Sequence, residues 1–354
     1  RYIISDKNLI SMKRYYSIDY LKGLAAVGIM VYHLGIWEKG PFKMDSALGR
    51  FGIFGVAIFY IVSGLTLYLV YHQRLQFDKK AIIDFLHKRF VRIYPLLWLV
   101  TIISIYLRPQ LPSIGDILLN VTGLFGFVKW EAYLATGAWS IGNVLVFYVL
   151  FILSMYVIKN LKWGIWILGI LLGGIFLYFT FQVFDPSKTL PKQWTSYVNP
   201  LNQYFYFYLG LIMGHFFQNI KLNLYLSLII TLIGIMLFVY FPADGDAIHI
   251  IFGWKRLVFL LSCLLICFGI FKIEGQAPGF LHEGLNLLGE ISFTLYLMHP
   301  IVYVFAGKIM LSAPFKNIPY PPHSRYFLTF LASIGIAYLV ANYYEKFFAK
   351  LLTK

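Results

Sequence analysis

Lys22 and His33 stand eleven residues apart in one apolar run. On an α-helix that separation is roughly three full turns and about 16 Å, so both side chains fall on one stripe. A cation at one end and an imidazole deep in the run could hold the two ends of a long ligand. A lysine snorkelling to an interface and a histidine packed between helices would leave the same spacing. Arg89 and Arg92 are three apart and share a helix face, where two guanidinium forks could hold phosphates. The plainer alternative for that pair is a cationic anchor at a membrane surface. A third group runs from Gly289, Glu290, Ile291 and Ser292 to His299 and Pro300, a polar break followed by a buried imidazole. Alone, His299 reads as a ring bonded to a backbone carbonyl freed by the proline.

The elements that carry these residues follow from composition. Of 354 residues, 60% are hydrophobic and 13% charged, with a mean hydropathy of +0.73. A soluble domain carries about a quarter charged residues, so an ordinary soluble enzyme, a disordered chain and a coiled coil are excluded. At roughly 20 apolar residues per crossing, the chain predicts an all-α polytopic bundle of ten transmembrane helices, near 18–36, 51–71, 90–107, 139–158, 163–182, 200–219, 223–241, 254–271, 287–306 and 325–345. The apolar, glycine-containing stretch 114–128 is too short to cross and reads as a re-entrant or interfacial piece. The organisation expected is a cytoplasmic N-terminal segment at 1–17, a membrane domain at 18–345 and a cytoplasmic tail at 346–354. The first apolar run shows no clear small-residue cleavage site and carries Lys22 and His33, so it is read as a retained span.

The net charge of +15 in so apolar a chain marks topology rather than nucleic-acid binding. Eighteen Lys and Arg fall on the side of the N-terminus and twelve on the other, which predicts that both termini are cytoplasmic. Cys263 and Cys267 lie four apart on one helical face and read as small core residues. No nucleophile elbow, Walker loop, HExxH or zinc spacing is present, and the eight histidines are scattered, so a metal centre is not indicated.

At these positions the chain resembles the acyltransferase-3 family of integral membrane acyltransferases. The resemblance rests on Ile18-Asp19-Tyr20-Leu21-Lys22-Gly23 with His33, on Phe59-Tyr60-Ile61-Val62-Ser63-Gly64, and on Arg89 to Pro95 with Arg-Ile-Tyr-Pro at its end. It continues through Trp139-Ser140-Ile141, Phe147-Tyr148 and Ile291 to Pro300, in the family's order from about residue 17 to 300. It implies transfer of an acyl group, usually acetyl, from cytoplasmic acyl-CoA to a hydroxyl of a surface polysaccharide or its lipid-linked precursor, in a bacterial inner membrane. His33 would be the general base or the acyl-accepting residue, with Lys22 and Asp19 beside it as catalytic residues. Lys22, Arg89 and Arg92 would bind the CoA phosphates. Ser63, Trp139, Ser140, Asn143, Tyr296 and His299 would contact the acceptor or support the site. Acetyl-CoA enters as a substrate, with no tightly bound cofactor or metal. One departure stands out: where the family commonly has a Glu, this chain has Val144, with Asn143 as the nearest polar substitute. That departure leaves room for a degenerate member with an export-assisting role, and a membrane transporter of a glycan or lipid-linked sugar is the rival of another class. Paired halves, which transporters often show, are not evident.

Overall fold

The computed structural model describes residues 14–353 except 313, 317, 319, 320 and 322. The N-terminal segment expected at 1–17 therefore lies outside the described residues up to position 13. The chain forms α1 (Tyr16–Lys39), α2 (Ala47–Tyr71), α3 (Lys79–Leu107), α4 (Ile114–Thr122), α5 (Phe125–Val128), α6 (Ala138–Asn160) and α7 (Gly164–Tyr178). After these come α8 (Trp194–Tyr197), α9 (Pro200–Phe217), α10 (Leu224–Tyr240), α11 (Ile248–Ile251) and α12 (Gly253–Phe271). The last are α13 (Gly279–Met310), α14 (Ser324–Leu339) and α15 (Lys346–Leu352), the final two joined by a π turn at Val340–Glu345. No strand occurs among the described residues.

Among the described residues, eight helices are long and apolar enough to cross a membrane. The two other expected spans are helices at their predicted places, α9 with 18 residues and α10 with 17. Three boundaries differ from expectation because an exposed charged face does not stop a helix. The third span begins at Lys79, capped by the Asp78 side chain on the Ala81 N–H. The ninth runs from Gly279 to Met310, and the last continues through its π turn to Leu352, so residues 346–352 are helical.

The stretch 114–128 is two short helices broken at Gly123, whose φ of 71° is left-handed. Neither is long enough to cross. Its register is held by Tyr94 and Trp98 of α3, which donate to the carbonyls of Thr122 and Val121 at 2.6 and 2.8 Å. Asp116 meets Lys129 at 3.0 Å, and that ammonium holds the Asp116 carboxyl below the usual range.

Glycines set how closely the central helices approach. A Cβ on Gly23 of α1 would lie 2.7 Å from the backbone of Leu288 and Gly289, and one on Gly289 would lie 2.5 Å from the Asp19 carbonyl oxygen. α1 and α13 are thus in backbone contact. They run parallel, because Gly23 meets Gly289, His33 meets His299 and Trp37 meets Tyr303 in the same order. Parallel packing suits the first and ninth members of an alternating series. α2 and α9 cross in the same way, Gly64 against the Phe207 carbonyl and Gly210 against that of Ile61. A matched pair of substitutions isolates the seam. Overpacking costs about 1–3 kcal/mol, whereas Gly→Ala in an open helix position gains up to about 1 kcal/mol. Gly289→Ala should lower the melting temperature in detergent, and Gly284→Ala, which meets nothing within 4 Å, should hold or raise it. Equal melting temperatures would remove the seam from the account of stability.

Candidate active site

The α1–α13 seam brings together two imidazoles far apart in sequence. His33 Nδ1 and His299 Nε2 are 2.9 Å apart. His299 Nδ1 lies 3.0 Å from the Leu295 carbonyl oxygen, and since a carbonyl only accepts, Nδ1 carries the proton. In a neutral His299 ring Nε2 is then the acceptor, so His33 donates from Nδ1. The second nitrogen of His33, Nε2, is left with its lone pair. The carbonyl used by His299 is that of Leu295, whereas the one deprived of its helical donor by Pro300 is that of Tyr296.

Beyond His33 a stack of planar groups continues toward the C-terminal end of α1. Trp37 lies 5.3 Å from His33 at 10°, Tyr303 is 4.7 Å from Trp37, and Arg325 covers the Tyr303 ring at 3.6 Å. The Tyr303 hydroxyl donates to Glu38 at 2.9 Å.

On the other side, toward the basic end of α1, lies a cavity of about 240 Å³. Lys22, Arg89 and Arg92 line one end, Ser63 and Thr66 its wall, and Ser140 and Tyr296 the other end. Tyr296 donates to the Gly137 carbonyl at 3.1 Å and accepts from Ser140 Oγ at 3.0 Å. The lining reaches Tyr296 and Phe59, whose rings are 6.1 Å apart. Tyr296 is three residues, about one turn, before His299, and among the described residues neither His33 nor His299 lines the cavity. Arg89 sits among the rings of Tyr71, Phe85 and Tyr148 and donates to the Tyr71 hydroxyl at 2.9 Å. Its Nε–H is buried without a partner, an orphaned charged donor that an anionic ligand would satisfy.

The structure therefore divides the expected site residues into two groups. Lys22, Arg89, Arg92, Ser63, Ser140 and Tyr296 share the cavity, while His33 and His299 form the pair beyond it. Asp19 and Lys22 do not join His33. Asp19 lies fourteen residues before it, about 21 Å along the axis, and its carboxylate faces Arg14 at 3.1 Å and Lys22 at 3.5 Å. Trp139 packs against Trp194 and Tyr197 outside the cavity lining. Val144 faces the cavity, but Asn143 does not replace a carboxylate there: one position on a helix turns a side chain by about 100°, and Asn143 is fully buried, donating to the Tyr60 hydroxyl at 3.2 Å. Sequence reasoning missed Tyr71, Tyr60 and Glu345. Glu345, which meets Arg92 at 3.7 Å, carried the signal that had picked out Lys22, an ionisable group inside an apolar span.

Fold and site together define a polytopic α-helical membrane protein with a cation-lined internal cavity beside a histidine pair. The acyltransferase-3 family model, described as an acyltransferase domain, matches residues 15–342, and the chain belongs to that family of membrane acyltransferases. No curated protein and no solved structure matches the chain.

The proton assignment is open to measurement. With ¹⁵N-histidine labelling, NMR should show His33 as the Nδ1–H tautomer near neutral pH, and His299→Ala should release that preference. A His33 protonated at Nε2 in the unaltered protein would overturn the assignment.

Proposed function

We propose that the protein transfers an acyl group, most simply acetyl, from acyl-CoA to a hydroxyl of a cell-surface polysaccharide or its lipid-linked precursor, with His33 as general base. The observation that carries this reading is the contact of His33 Nδ1 with His299 Nε2 at 2.9 Å, which, with His299 Nδ1 on the Leu295 carbonyl, supports a lone pair on His33 Nε2. A sugar hydroxyl is a poor nucleophile at neutral pH. Nε2 takes its proton as the oxygen attacks the thioester carbonyl. The C–S bond then breaks, and the proton passes from Nε2 to the departing CoA sulfur. Such a base typically contributes about 10²–10⁴-fold. An acyl-histidine intermediate on the same nitrogen is the other role its geometry supports.

In this reading the donor enters from the basic end. Its phosphates meet Lys22, Arg89 and Arg92, and its pantetheine arm lies along the cavity toward Ser140 and Tyr296. The unpartnered Nε–H of Arg89 supports an anion there. Because the lining stops one turn short of His33, rotation of Tyr296 and Phe59 joins the thioester to the base. The basic end faces the cytoplasm of a bacterial inner membrane, where acyl-CoA is available, and the excess of Lys and Arg on the N-terminal side supports that orientation. The acceptor meets His33 from the opposite side.

Membranes holding the protein, given radiolabelled acetyl-CoA and the glycan fraction of the producing cell, should place label in glycan. His33→Ala should cut that label by about 100-fold or more at normal membrane insertion, and near-normal label would exclude His33 as the base. Arg89→Ala should chiefly raise the apparent KM for acetyl-CoA. An unchanged KM would take Arg89 out of the donor site.

A further inference from the structure

Glu345 is the one Asp or Glu that is buried among the described residues. It closes the π turn Val340–Glu345 of the last span, and such turns recur at functional sites because they re-aim side chains within a helix. Here the turn aims two adjacent residues at α3. The Tyr344 hydroxyl donates to the Pro95 carbonyl at 3.1 Å, and Glu345 Oε2 meets Arg92 Nη1 at 3.7 Å. The other carboxylate oxygen, Oε1, accepts from the Thr294 hydroxyl of α13. Position 345 lies beyond residue 342, where the family match ends.

We propose that Glu345 is a positioning residue for the donor: it fixes the Arg92 guanidinium at the cavity so that its remaining N–H groups face the phosphates of acyl-CoA. The inference rests on the functional reading above. Three cations, Lys22, Arg89 and Arg92, line one end of this cavity, and like charges gathered in a site of reduced dielectric repel. Two of them have a carboxylate in ion-pair reach, Asp19 for Lys22 and Glu345 for Arg92. The Glu345 side chain is only 8% exposed while that of Arg92 is 44% exposed. The carboxylate therefore stands behind the guanidinium, anchored by Thr294, and leaves the forward face of Arg92 to a ligand. Without it, repulsion from Lys22 and Arg89 and the rotamer freedom of a long side chain draw Arg92 away from the cavity.

The test uses the full chain in lipid nanodiscs, with acetyl-CoA binding followed by calorimetry and transfer by steady-state kinetics. Glu345→Gln keeps the shape and removes the charge. It should weaken acetyl-CoA binding and raise the apparent KM by about tenfold, within the coupling expected of residues in direct contact, while kcat changes by less than about twofold. Glu345→Asp, which retains the charge, should recover part of the loss. The apparent KM for S-acetylpantetheine, which carries the thioester without phosphates, should not move. In an Arg92→Ala background Glu345→Gln should have no further effect. Unchanged or tighter acetyl-CoA binding in Glu345→Gln overturns the proposal, as does an equal loss for S-acetylpantetheine or an undiminished effect in the Arg92→Ala background. Failure of the unaltered protein to bind acetyl-CoA overturns the functional reading itself, and the ligand assigned to Arg92 falls with it.

Discussion

The backbone contact between Gly23 and the Leu288–Gly289 pair is the constraint on which the rest of the site depends. With no side chain to hold them apart, α1 and α13 lie side by side and parallel. A shallow parallel contact preserves one register over several turns. That register places His33 on His299 and Trp37 on Tyr303, each pair 266 positions apart in the chain. A side chain at the seam would separate the helices at the level of Lys22 and spread the histidines above it. The proton direction in the imidazole pair is thus a property of the packing as much as of the two rings.

Much of this site was legible in the sequence because lipid makes polar residues conspicuous. Lys22, His33, Arg89, Arg92 and His299 each stood out as ionisable groups in or beside apolar runs, and all five fall in the cavity or the pair beyond it. What one sequence does not carry is long-range register. Nothing in the spacing shows that His33 pairs with His299, or that Asp19 serves Lys22 and Arg14 rather than the imidazole. Arg50 and Lys272 fell just outside the expected spans and Arg256 near the start of one, yet all three are buried. Arg50 donates to the carbonyls of Phe238 and Val239 in the last turn of α10, at 2.8 and 2.7 Å. Lys272 donates to those of Phe217 and Ile220 where α9 ends. Helix ends leave such carbonyls without donors, and a long cationic side chain reaching from another helix satisfies them. Arg256 donates to Asn202 Oδ1 at 2.8 Å and lies over the Phe176 ring at 4.2 Å.

Aromatic side chains do in this protein what water does around soluble cations. Arg89 is surrounded by three rings and Arg256 by Phe176, Phe184 and Tyr206. Ring faces lower the cost of keeping a guanidinium out of water without neutralising it, whereas a carboxylate partner would also occupy its donors. Arg89 is thereby half-buried, with its Nε–H still to be satisfied. Arg92, more exposed, is met by a carboxylate at a single point and by the Phe293 ring at 5.6 Å.

The place where the cavity stops has a bearing on the membrane itself. Were it to continue past Tyr296 and Phe59 to the histidines, it would form a polar column from the basic end of α1 to the imidazole pair. A protonatable ring in such a column is a relay for hydrogen ions, and an energised membrane would drive current through it. About one turn of helix, carrying packed aromatic side chains, separates the cavity from the histidine pair. The rings of Phe59 and Tyr296 therefore stand where a path for hydrogen ions would otherwise begin.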